Sequence, residues 1–166
     1  MQQPSDDLIF DRTAADVAQV KAIEQKMIAG TATEQERQQW LGGKMKGAWN
    51  ASDAQRVEAW TAYLAERLQT CGYDISTYPD TWEPDELFFR SKMDQLRRGI
   101  EVLRDGFFAI PDWWEIQYEN TLDYSQANAY EWDLQQVEGW SSALIQGFQL
   151  RQANTMFMIA GGVFHA

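Results

Sequence analysis

Between Asp105 and Leu150 the chain has no Lys or Arg, yet Asp105, Asp112, Glu115, Glu119, Asp123, Glu131, Asp133 and Glu138 all fall there. Seven Trp and Tyr residues are interleaved with these acids: Trp113, Trp114, Tyr118, Tyr124, Tyr130, Trp132 and Trp140. This combination has three chemical readings. A saccharide-binding surface stacks ring faces on sugar C–H groups and offers carboxylates to the hydroxyls. A protein interface uses Trp and Tyr as its anchoring residues. A hydrophobic core is filled by the same rings while the acids solvate its outside, and Tyr130, Leu134 and Val137 do stand in helical core register. Trp113-Trp114 is a separate case, because two adjacent loop residues rarely both face inward. One Trp is expected at the surface. The candidate interaction surface is therefore Trp113, Trp114, Glu115 and Tyr118.

Other reactive groups are scarce. Cys and His occur once each, as Cys71 and His165. A lone Cys cannot form an internal disulfide, and one Cys with one His cannot build a His/Cys zinc site. Cys71 falls at the end of an expected helix, where the dipole disfavours a thiolate, so a buried, unreactive thiol is expected. His165 is the penultimate residue, a position where chains fray. There is no G-x-S-x-G elbow, glycine-rich phosphate loop, H-E-x-x-H or C-x-x-C. Asp80, Glu83, Asp85 and Glu86 cluster as oxygen ligands, but acids at a helix start are favoured by the dipole alone, and no calcium-loop pattern accompanies them. A paired-carboxylate hydrolase needs two acids about 5–10 Å apart. Among 25 acidic residues such a pair arises by chance, so spacing nominates none. No residue is named as catalytic, cofactor-binding or metal-ligating, and no enzyme activity is expected.

Helices must position whatever surface exists. Thr13-x-x-Asp16 and Thr33-x-x-Glu36 read as capping boxes opening two shorter helices, the first with Val17, Val20, Ile23 and Met27 inward. Asn50 or Ser52 opens a long helix with an inward stripe of Val57, Trp60, Leu64 and Leu68, ending at Cys71-Gly72. Tyr73–Trp82 is a connector. Pro84 suits the first turn of the next helix, whose Phe89, Met93, Leu96, Ile100, Leu103 and Phe107 form a seam broken by Gly106 and Pro111. Asp123 or Ser125 opens the last long helix, with Ala127, Tyr130, Leu134, Val137, Leu144 and Phe148 on one face. The segment from Asn154 to Ala166 is expected to be irregular, as a short strand or an apolar arm. The fold class is all-α: a helical bundle of three long and two shorter helices with an irregular C-terminal tail. The 166 residues form a single domain with an N-terminal helical module (10–73), a C-terminal helical pair (83–150) and an apolar tail (151–166).

Composition narrows the function classes. The formal net charge is −11, the isoelectric point is near 4.4, and 45% of residues are hydrophobic. Disorder is not expected from so apolar a chain. Nucleic acid is excluded as a partner because no surplus of cations exists to displace counterions. The longest apolar run, Met156–Val163, is too short to span a bilayer, so no membrane insertion is expected. With neither a signal segment nor paired cysteines, synthesis in a reducing cytoplasm is expected.

Several stretches carry a family resemblance. They are Phe10-Asp11-Arg12-Thr13-x-x-Asp16-Val17-x-x-Val20, Thr33-x-x-Glu36-x-x-x-Trp40, Lys46-Gly47-Ala48-Trp49-Asn50-x-x-Asp53-x-x-Arg56-Val57, and Tyr63-Leu64-x-x-x-Leu68-x-x-x-Gly72-Tyr73. Together they resemble the helical module of uncharacterised tail-region structural proteins of phages and prophages of gut Firmicutes. Leu122-x-Tyr124-x-x-Ala127-Asn128-x-x-Glu131-x-x-Leu134 is similar to a second recurring piece of those proteins. About half the chain is covered. The Trp-rich loop and the Met156–Val163 tail depart from the pattern. The resemblance implies a tail or baseplate component, partnered by other virion proteins or by further copies of itself, and located finally in the particle. It brings no functional residue with it. The alternative is a carbohydrate-binding module that recognises a bacterial cell-surface glycan through exposed Trp and Tyr rings and carboxylates.

Overall fold

The computed structural model describes residues 2–43, 45–83, 89–118 and 121–160, with side chains through Ala153. Five helices follow in order: α1 (Ala14–Ile28), α2 (Glu34–Leu41), α3 (Ala51–Thr70), α4 (Arg90–Phe107) and α5 (Tyr124–Ala160). No strand occurs among the described residues. The chain is therefore all-α, with three long and two shorter helices as its periodicity predicts.

Local chemistry explains where these helices begin. Thr13 with Asp16, Thr33 with Glu36, and Asn50 with Asp53 each form a reciprocal capping box. Asn50 rather than Ser52 caps α3, and the Ser52 N–H donates to Asn50 Oδ1 at 2.9 Å. At the head of α5 the Gln126 N–H donates to Asp123 Oδ1 at 2.8 Å. Gly72, at φ +92°, turns the chain out of α3 in a conformation that only glycine adopts freely. Pro84 lies outside the described residues, and the helix it was expected to open begins at Arg90.

The core is made where α3, α4 and α5 pack against one another. Val57, Trp60, Leu64 and Leu68 meet Met93, Leu96, Ile100, Leu103 and Phe107, with Tyr130, Leu134 and Val137 completing the cluster. Each such side chain contributes roughly 1.5–3 kcal/mol by leaving water. Phe89 does not join its expected seam and stays exposed, because it precedes the first turn of α4. The α1–α2 hairpin sits at the periphery. Ile23 is the buried residue of α1, Val17, Val20 and Met27 are half-buried, and α2 buries none.

Two expectations need correction, and a third holds for an added reason. As expected, α4 ends between Gly106 and Pro111, at Phe107, and Gly106 also serves a close approach, since a Cβ there would come within 2.6 Å of the Ile75 side chain. The missing side chain lets the 73–83 connector close over the helix. Cys71 is half-buried rather than buried, because as the C-cap of α3 it stands where the helix leaves the core. The irregular tail does not begin at Asn154, since α5 continues through Ala160. No Pro or Gly interrupts 152–160, so nothing stops the hydrogen-bond ladder before Gly161. The remainder of the tail, with His165, lies outside the described residues, as do Asp85, Glu86 and Glu119. No helix among the described residues is long and apolar enough to cross a membrane.

Candidate functional site

The 108–123 connection between α4 and α5 carries the adjacent tryptophans and is fastened along its length. Ile110 and Ile116 are buried in the core. Between them, the Trp114 backbone N–H donates to Asp133 Oδ1 at 2.8 Å, and the Trp132 indole N–H donates to the Asp112 carbonyl at 3.0 Å. Asp112 is held at φ +61°, a left-handed conformation that costs energy for any residue with a Cβ. The two tryptophans consequently divide between core and solvent. Trp113 is half-buried, with the Arg104 guanidinium 5.5 Å from its ring centroid. Trp114 is 41% exposed.

Beside this turn lies an open cleft of about 490 Å³, lined by Phe10, Asp112, Trp113, Trp114, Glu115 and Trp132. Phe10 and Trp132 meet edge to face with centroids 5.5 Å apart. Of the four residues expected to form a surface, Trp113, Trp114 and Glu115 are brought together. Tyr118 is not among them. Its hydroxyl donates to Glu101 on α4 and its ring lies 5.5 Å from the Arg97 guanidinium. Burial, reinforced by the Glu101 carboxylate, pushes the Tyr118 phenol well above its ordinary value. The cleft presents apolar ring faces with carboxylates at its rim, an arrangement suited to a flat, hydroxyl-bearing or cationic ligand.

Comparison with protein-family models, curated proteins and solved structures finds no match. The site is therefore read from its own geometry.

Asp133 is fully buried behind the tryptophan turn, and its Oδ2 has no hydrogen-bond partner. Burial pushes its carboxyl up to about 8, against the Trp114 N–H and the Arg104 charge, which favour the carboxylate, and with Glu115 adding like-charge repulsion. Glu58 is the second such acid, pushed up to about 7 by burial on α3. Neither lines the cleft. Among the described residues no group of three or more His, Cys, Asp or Glu is placed to hold a metal ion.

A second polar cluster was not foreseen as a unit. Glu131 on α5 has no exposed surface, yet its Oε1 accepts from Arg12 Nη2 at 2.7 Å and Arg56 Nη2 at 2.9 Å. Its Oε2 accepts from Arg56 Nε at 2.9 Å and the Ile9 N–H at 2.6 Å. Asp53 completes the set, reaching Arg12 Nη2 at 3.1 Å and Arg56 Nη2 at 2.5 Å. Asn128 brackets Arg12, accepting its N–H at 3.0 Å and donating to its carbonyl at 2.9 Å. Burial works against the Arg56 charge, but Glu131 and Asp53 outweigh it and raise its proton affinity. Arg12 further stacks 5.5 Å from the Trp49 ring centroid. These residues come from the N-terminal segment, α3 and α5. Their chemistry is a staple that ties the first ten or so residues across the bundle.

Proposed function

We propose that this protein is a non-enzymatic structural and interaction subunit, and specifically a component of a phage or prophage tail or baseplate. The supporting observation concerns the residues that carry the sequence resemblance. Arg12, Asp53, Arg56, Asn128 and Glu131 are spent on the buried staple. Thr13, Asp16, Thr33, Glu36 and Asn50 cap helices, and Trp49 packs against Tyr130 with ring centroids 5.9 Å apart. A pattern of this kind recurs because it builds a scaffold, and a scaffold is what an assembly subunit supplies. The remaining apolar surface is available for partners, with Ile28, Leu41, Phe148 and Leu150 all exposed. Immunogold electron microscopy and mass spectrometry of purified, induced prophage particles test the reading. The subunit is expected in the particles at fixed stoichiometry, and its absence from them would overturn the assignment.

The cleft favours a second reading, a carbohydrate-binding module for cell-surface glycans. Trp114 and Glu115 are exposed, Trp113 is half-buried, and Phe10 and Trp132 complete an aromatic wall. On this reading a glycan array detects binding that Trp114→Ala abolishes, while the melting temperature stays within a few degrees because the ring is exposed. Binding that survives both Trp113→Ala and Trp114→Ala would remove the cleft from the site.

A further inference from the structure

The face of α5 that packs in the core does not stop where the core stops. Ala127, Tyr130, Leu134, Val137 and Ser141 are buried, Leu144 is half-buried, and residues 146–153 are all exposed. α5 spans 37 residues against 20 in α3 and 18 in α4, and at 1.5 Å per residue the exposed stretch 146–153 carries it about 12 Å beyond the buried seam. On that extension a groove is lined by Ala143, Leu144, Gly147, Phe148 and Arg151. Leu144, Gly147, Phe148 and Arg151 stand at i, i+3, i+4 and i+7, the four positions that form the hole of a knobs-into-holes contact. Gly147 deepens it, because nothing lies within 4 Å of where its Cβ would be. Phe148, 50% exposed, is a knob of matching size on the same face.

Charge indicates what fills this hole. All 25 acidic residues precede Gly139, and Arg151 is the sole Lys or Arg from Gly139 to the end of the chain. Each copy carries a net charge of −11, and this acid-free segment adds nothing to the repulsion between carboxylates of two copies. An antiparallel crossing there directs each Arg151 toward the acidic bundle of the other copy. We infer that the C-terminal half of α5 is a homodimerisation element, in which two copies cross antiparallel near Gly147 and Phe148 of each enters the hole of its mate. Such a contact is isologous and closes on itself, as a two-fold dimer requires. The inference deepens the assembly reading by naming one partner, a second copy. Its failure would leave particle association to be decided by the particles themselves.

Sedimentation velocity over a concentration series of the full chain tests it, with far-UV circular dichroism as the check on folding. The wild type is expected to dimerise, and Gly147→Gln to weaken the dimer at least tenfold. That substitution meets no neighbour within the protomer and improves helix propensity, so misfolding does not account for the loss. Gly139→Gln is the matched control. It also meets no neighbour, but it lies more than two turns before Gly147, outside the groove, and is expected to leave the dimer unchanged. Orientation is read by disulfide trapping in a Cys71→Ser background. Ala143→Cys mixed with Arg151→Cys is expected to cross-link, and Ala143→Cys alone is not. A monomeric wild type, a Gly147→Gln dimer of undiminished affinity, loss of the dimer in Gly139→Gln, or self-cross-linking of Ala143→Cys would each overturn the inference.

Discussion

Glu131 is enclosed by two guanidinium groups and a backbone N–H, and removing its charge leaves Arg12 and Arg56 facing Asp53 alone. Breaking a buried pair from one side costs about 3–5 kcal/mol, because the partner charge stays buried without compensation. Glu131→Gln is therefore expected to lower the unfolding free energy by that order in urea titrations, whereas a surface acid such as Glu115 changed to Gln should leave it within about 0.5 kcal/mol. Asp133 presents the opposite case, an acid that prefers its proton. Its ordinary value is 3.8 and burial holds it near 8 in the fold. The unfolded chain thus loses this proton first. The stabilisation is complete below about pH 4 and is lost as pH rises toward about 8. Glu58, held near 7 against an ordinary 4.5, acts in the same direction. Asp133→Asn keeps an acceptor for the Trp114 N–H and removes the titration. It is expected to melt at the wild-type temperature at pH 4 and at least about 3 °C higher at pH 8, a change of order 1 kcal/mol for a domain of this size. Equal melting temperatures at both pH values would contradict the assignment. None of the burial behind these two effects is visible in the spacing of the acids, since Glu131 and Asp133 stand two apart within one acidic stretch and look alike there.

At the scale of elements, the bundle and the hairpin differ in how they are held. α3, α4 and α5 share a continuous apolar core, whereas α1 and α2 are joined to it through the Arg12 staple and the turn at Gly47. A Cβ on Gly47 would stand 2.2 Å from the Asp16 backbone carbonyl, so the turn packs against α1 only because that position has no side chain. Gly47→Ala is expected to detach the hairpin without unfolding the bundle. Amide exchange in α1 and α2 should accelerate at least tenfold while α3–α5 keep their protection, and uniform acceleration would show that hairpin and bundle unfold as one unit. The starts of α1, α2 and α3 were legible because capping boxes are local and carry their own chemistry, whereas α4, which has no side-chain cap, begins at Arg90. Depth of burial was not legible, and the α1 stripe of Val17, Val20 and Met27 reads like a core face yet remains half-buried. The second role of Gly106 was hidden for a related reason. A glycine in a helix signals either an end or a close approach, and the approaching residue, Ile75, lies on another element.

For the whole molecule, the net charge of −11 acts against any association of two copies. Screening should relieve it. The proposed dimer is expected to tighten as ionic strength rises toward about 0.15 M, where the Debye length falls to about 8 Å, and a dimer that weakens with salt would show that the Arg151 attraction outweighs both apolar packing and the net repulsion. The same charge distribution places the acids before Gly139 and leaves the end of α5 apolar, which is a property of composition. By itself the sequence determined the all-α class and the capped helix starts, because caps and periodicity act over a few residues. It also placed one of Trp113 and Trp114 at the surface. Only the tertiary structure decided which one, brought Phe10 to Trp132 and Arg12 to Glu131, moved Tyr118 away from the cleft, and left residues 146–153 of α5 uncovered. Those outcomes depend on contacts between residues far apart in the chain, where burial and pairing are set by which elements meet.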